Sequence, residues 1–201
     1  MKTSTSNQRP AALRALFVAM ATLFGLLSMV GAASAQNKAS DWVAEDAKGN
    51  KVKTADFRGK ATMIFINHPE QRDAMKPITK ELALKYGHNP AVSLVTIVDL
   101  RDLEFYKRPF ANDKIAQAQD RTVKRIQQIL KENNKPPIPG LARKLYMVPD
   151  FDGKIIDRYN HWDTKKNVTI VLLNKQGDIV GSWKDTQLDK VFEAVEATLA
   201  Q

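Results

Sequence analysis

No residue in this chain can serve as a thiolate. Its 201 residues include no cysteine, and thiol chemistry needs a sulfur nucleophile of lowered pKa. Thiol–disulfide exchange, thiol peroxidase and disulfide isomerase activities are therefore excluded by composition. The side chains left for chemistry gather in Asn67-His68-Pro69-Glu70-Gln71-Arg72-Asp73. Glu70 and Asp73, three apart, share a face of a helix, the minimum for paired-carboxylate acid–base work. Acids at a helix start also favour the helix through its dipole, with no catalytic role. Arg72 offers a planar fork for a carboxylate or phosphate, or pairs with one of those acids. A metal centre needs three or four convergent ligands. His68, His88 and His161 are the only histidines, and the first two stand in loop-like His-Pro and His-Asn contexts, so neither metal nor cofactor is expected. Trp42, Trp162 and Trp183 either line a peptide groove or pack against the body of the domain.

The elements that must position these groups follow from apolar period and turn chemistry. Asp41–Asp46 and Lys48–Val52 read as two short strands about a Gly-Asn turn. Ala61–Ile66 and Val92–Val98 are continuous apolar runs of strand length, the pattern of strands covered on both faces. Between them, Glu70–Tyr86 carries Ala74, Ile78 and Leu82 at helical spacing, with Pro77 inside it as an expected bend. A second helix is expected from about Asp113 to Lys131, closed by a proline-rich connector that ends at Gly140. Leu145–Val148 precedes an Asp-Phe-Asp-Gly turn. Val168–Leu173 and Ile179–Trp183 form a hairpin, and the capping-box phrase Thr186–Asp189 opens a final helix striped by Leu188, Val191, Phe192, Val195 and Leu199. Strand, helix, strand, helix, hairpin and helix imply a mixed sheet between helices.

The N-terminus has export form. Lys2, Arg9 and Arg14 precede an apolar run from Ala15 to Val30, and Ala33 and Ala35 are the small residues of a cleavage site before Gln36. The run is shorter than the ~20 residues that span a bilayer. Residues 1–35 are accordingly expected to be a cleaved secretory signal and residues 36–201 the mature domain, periplasmic or secreted. Cleavage lowers the formal charge from +9 to +6, enough for weak attraction to anionic envelope polymers. No nucleic-acid motif is present.

Asp46–Val52 as an entry hairpin, Phe57-Arg58-Gly59-Lys60 before the central strand, the Pro77 helix, and Val168–Ser182 with its Lys-Gln-Gly turn together resemble the thioredoxin-like superfamily. The likeness is to its TlpA-like and peroxiredoxin-type (alkyl hydroperoxide reductase/thiol-specific antioxidant) branch, and to the periplasmic YtfJ group. It covers most of Asp41–Gln201 and implies an α/β fold, a thioredoxin-like three-layer sandwich with a central mixed β-sheet flanked by helices. Redox members place Cys-x-x-Cys where the central strand meets the first helix. Those positions fall here on Pro69 and Arg72, or on Glu70 and Asp73, depending on register. The family's cis-proline is replaced by Val168 after Asn167, and a cis bond there would cost about 3–4 kcal/mol, so a trans peptide is expected. The resemblance implies a redox-inactive module that contacts an envelope protein or peptide at His68, Pro69, Glu70, Arg72, Asp73, Asn167 and Val168. The alternatives are a carrier or sensor of a small anion or metal at that corner, or a non-thiol enzyme using Glu70, Asp73 or His68.

Overall fold

The computed structural model describes Ala39 and residues 41–201; the expected signal and its cleavage site lie outside those residues. Strands β1 (Val43–Glu45) and β2 (Lys51–Lys53) form a separate antiparallel hairpin. The main sheet holds β3 (Ala61–Asn67), β4 (Val92–Asp99), β5 (Leu145–Asp150), β6 (Thr169–Leu173) and β7 (Ile179–Lys184), in the order β5-β4-β3-β6-β7. β3, β4 and β5 run parallel, while β6 and β7 run antiparallel to their neighbours. Phe65 pairs with Thr96 on one side and Ile170 on the other, so the two apolar runs and the C-terminal hairpin belong to one mixed sheet.

All seven residues of β3 are buried because both faces of the sheet are covered. Successive side chains point to opposite faces. Met63 and Phe65, with Ile170 and Leu172, meet Ile78, Leu82 and Tyr86 of helix α1 (Met75–Tyr86) and Val191 and Val195 of helix α3 (Leu188–Leu199). Ile64 and Ile66 point the other way, among Trp42, Val52, Phe57, Ile156 and Tyr159 of the entry hairpin and the short 3-10 segments. The sheet is thus the middle of three layers.

Three local expectations change. The segment expected to be one helix bent at Pro77 is a 3-10 turn, Pro69–Arg72, followed by α1. Pro77 falls in the first turn of α1, where a missing N–H costs nothing. Helix α2 (Arg108–Glu132) begins five residues earlier than its apolar stripe suggests, with Pro109 in its first turn. At α3 the Lys184 N–H donates to Gln187 Oε1 at 3.2 Å, ahead of the expected Thr186 cap. The proline-rich connector is held to α2 by a two-way amide latch. Gln127 Nε2 donates to the Ile138 carbonyl at 2.9 Å, and the Ile138 N–H donates to Gln127 Oε1 at 3.2 Å.

Candidate functional site

The C-terminal ends of β3 and β4 lie side by side, Asn67 opposite Val98, which places His68–Asp73 and Asp99–Phe110 at one end of the sheet. In open parallel sheets this end gathers ligands. His68 caps the 3-10 turn, its Nδ1 accepting the Glu70 N–H at 3.3 Å. Its own N–H donates to the Thr164 carbonyl at 3.2 Å, which ties the turn to the loop before β6. Gln71 Nε2 donates to the Lys165 carbonyl and reinforces that tie. Glu70 and Asp73 engage different partners. A Glu70 carboxylate oxygen lies 3.7 Å from His68 Nδ1, whereas Asp73 meets Lys76 at 2.5 Å. The Lys76 hydrogen bond and charge hold the Asp73 carboxyl below the ordinary range. Arg72 is exposed, 4.0 Å from Asp73.

The loop opposite is closed by its own backbone. The Asn167 N–H donates to the Asp163 carbonyl at 2.9 Å, and the Val168 carbonyl accepts the Asp185 N–H at 3.0 Å. Val168 is fully buried, and no cis peptide occurs among the described residues, as the valine there predicts. An extended peptide therefore finds few free main-chain groups in this loop. The corner named from the sequence is a hydrogen-bonded seam, not an open groove.

What the sequence reading missed is the network beneath the seam. Asp99 ends β4, 4 % exposed. It accepts from Arg101 Nη2 at 2.7 Å and Nε at 3.0 Å, and from Thr164 Oγ1 at 2.7 Å. Arg101 Nη1 also donates to Asp157 at 3.0 Å. Burial alone would raise the Asp99 pKa, but hydrogen bonds from Arg101 and Thr164 and the guanidinium charge outweigh it and bring it down to about 2. Gly153 serves the same cluster. Its φ of +78° and the 2.8 Å from an added Cβ to Arg101 Cδ leave room for glycine alone. The available signal was Asp99 itself, a carboxylate abutting an apolar strand at its C-terminal end.

Asp99, Arg101 and Thr164 line a cavity of about 350 Å³ that also takes in His68 and His161. The fold thus brings two of the three histidines together. His88 lies elsewhere, its Nε2 3.0 Å from the Pro136 carbonyl. Each basic side chain of this cavity has a carboxylate nearby: Arg101 meets Asp99 and Asp157, Lys165 meets Asp102, and the His161 and His68 rings lie 3.7 Å from Asp157 and Glu70. No group of three or more His, Asp or Glu side chains is placed to hold a metal among the described residues. The tryptophans pack. Trp42 is buried and donates to Tyr159 Oη, Trp183 sits against the α3 side of the core, and Lys184 Nζ lies 5.5 Å from the Trp162 ring centre.

The five-strand mixed sheet, the helix that follows its central strand and the hairpin that completes it make up the thioredoxin fold, here without cysteine. No family model and no curated protein matches the chain. Solved structures do. A protein from Neisseria meningitidis assigned as a thioredoxin is 18 % identical with a TM-score of 0.53, covering 82 % of this chain and 92 % of its own. One from Bacteroides thetaiotaomicron assigned as a protein disulfide isomerase is 17 % identical with a TM-score of 0.52, covering 83 % and 90 %. A DsbF homologue from Corynebacterium diphtheriae is 12 % identical with a TM-score of 0.52, covering 83 % and 90 %. The likeness is one of fold.

Proposed function

We propose that the protein is an exported, redox-inactive thioredoxin-fold module of the bacterial envelope that binds a partner protein at the sheet end carrying His68–Asp73. The observation behind this reading is a cluster of uncovered aromatic side chains beside that corner. Phe105 is 83 % and Tyr106 67 % exposed, on the segment between β4 and α2. Lys107 Nζ lies 5.4 Å from the Tyr106 ring centre and the Arg108 guanidinium 5.9 Å from that of Phe105. Exposed large aromatics with cations beside them have the composition of interface hot spots. With the loop around Asn167 closed, contact runs through side chains, these and Arg72, in place of an added strand.

Capture from envelope extracts tests the reading. Phe105→Ser with Tyr106→Ser, at positions that contribute little to the core, should cut retention of the partner by about tenfold or more. Equal retention by wild type and variant overturns it. Two further results are expected. N-terminal sequencing of envelope-derived protein should begin at Gln36, and an uncleaved N-terminus would refute the signal. Insulin-reduction and peroxide-turnover assays should read blank, since neither reaction has a sulfur to run on. Among the described residues no helix is long and apolar enough to cross a membrane.

A further inference from the structure

A cavity of about 1370 Å³ lies between α1, α2 and the helix-side face of β4 and β5. β4 is flanked by strands on both sides, yet its Val92 and Leu94 are only part-buried, as are Met75 and Thr79 of α1. α1 and α2 touch through Ala83, Ile126 and Leu130, so side chains close over part of the space. A helix about 10 Å across cannot enter there, whereas flexible chains can. The volume exceeds the roughly 300–1,000 Å³ of ordinary small-ligand pockets.

The charge around this space has one sign. Its lining holds nine basic side chains and a single carboxylate, Asp56. Three of the nine, Lys114, Arg121 and Arg125, recur on α2 along one edge of the apolar face formed by Ala111, Ile115 and Ala118. Lys114, Arg121 and Arg125 make no ion pair among the described residues. Asn67, 6 % exposed, also lines the cavity, and its Oδ1 has no hydrogen-bond partner. A buried orphan acceptor is costly.

We propose that this cavity holds one anionic diacyl phospholipid, its acyl chains along Val92, Leu94, Met75 and Thr79 and its phosphate at Arg121 and Arg125 on the edge of α2. A free fatty acid, with one chain and one carboxylate, matches neither the volume nor the number of cations. The cavity borders the partner surface at Arg72 and Lys107, but the two tests change different residues, Phe105 and Tyr106 in one and Arg121 and Arg125 in the other, so the failure of one proposal is distinguishable from the failure of the other.

The test mixes purified protein with vesicles of phosphatidylglycerol or of phosphatidylcholine, removes the vesicles by flotation, and reads the soluble protein by native mass spectrometry. The expected result is a one-to-one complex with phosphatidylglycerol and about tenfold less with phosphatidylcholine. Arg121→Glu with Arg125→Glu, both exposed positions, should lower extraction by about tenfold or more with unchanged circular dichroism. Ala118→Trp, which fills the space, should abolish it; if that variant does not fold, the charge-reversed one still decides. Extraction of neither lipid, equal extraction of both, oleate binding as tightly as phosphatidylglycerol, or protein that floats with the vesicles without extracting lipid would each overturn the proposal.

Discussion

Trp42→Ala is expected to destabilise the protein by about 3–5 kcal/mol, the range for truncating a buried aromatic. For a domain of this size that lowers Tm by roughly 10 °C. Trp42 is 4 % exposed, in the core cluster that covers Ile64 and Ile66 of β3, and makes three contacts there. The three partners lie in or directly after the 3-10 segments that pack with it against Ile64 and Ile66. Its indole N–H donates to Tyr159 Oη at 2.7 Å. Its ring centre lies 6.4 Å from that of Phe57, and its backbone N–H donates to Thr54 Oγ1 at 2.9 Å. Burial pushes the Tyr159 phenol up to about 12, so it stays neutral and available as an acceptor at physiological pH. Tyr159→Phe keeps the ring and removes only that acceptor, so its cost should be smaller, about 1–3 kcal/mol for the unpaired indole N–H. Denaturant melts of both variants separate packing from hydrogen bonding. A Trp42→Ala midpoint equal to wild type would mean that the hairpin does not cover the sheet in solution.

Asp99→Ala carries the second large effect, about 2–3 kcal/mol and roughly 5–10 °C in Tm. Removing one partner of a buried pair leaves the other without compensation. The figure sits below the fully buried range because the Arg101 side chain keeps 34 % of its surface in water and is partly solvated without Asp99. The pH dependence has a definite sign. The folded pKa of about 2 lies below the ordinary aspartate value of about 3.9. The stabilisation from this carboxylate is therefore complete above about 3.9 and lost as pH falls through about 2. Asp99→Asn removes the titration, so its stability should fall less steeply than wild type between pH 4 and pH 2. Parallel acid-unfolding curves would show that the network does not hold Asp99 ionised.

The fold was legible because its signals are local. Continuous apolar runs marked β3 and β4 as strands covered on both faces, and the Asn174–Asp178 turn marked the C-terminal hairpin of β6 and β7. Val168 in place of proline was enough to expect a trans peptide. Pro77 misled because proline reads alike in a bend and in a first turn. The choice depends on where the helix begins, and that was set by the His68 cap and the tie to Thr164, whose residue types carry no helix-start signature. The candidate site was legible only in part. His68–Asp73 was located, but its character was not, since the closing partners lie far along the chain.

From the amino acids alone came the exclusion of sulfur chemistry and the expectation of a mixed α/β sheet, because composition and hydrophobic period need no knowledge of distant contacts. The strand order decided everything that joins separated segments. Asp99 meets Thr164 across 65 residues, and Arg101 meets Asp157 across 56. His161 joins His68 while His88 does not. The cation-edged cavity exists only because two crossover helices leave part of β4 uncovered. Such juxtapositions arise when parallel strands bring their C-terminal ends to one side, and no window along the chain encodes that geometry.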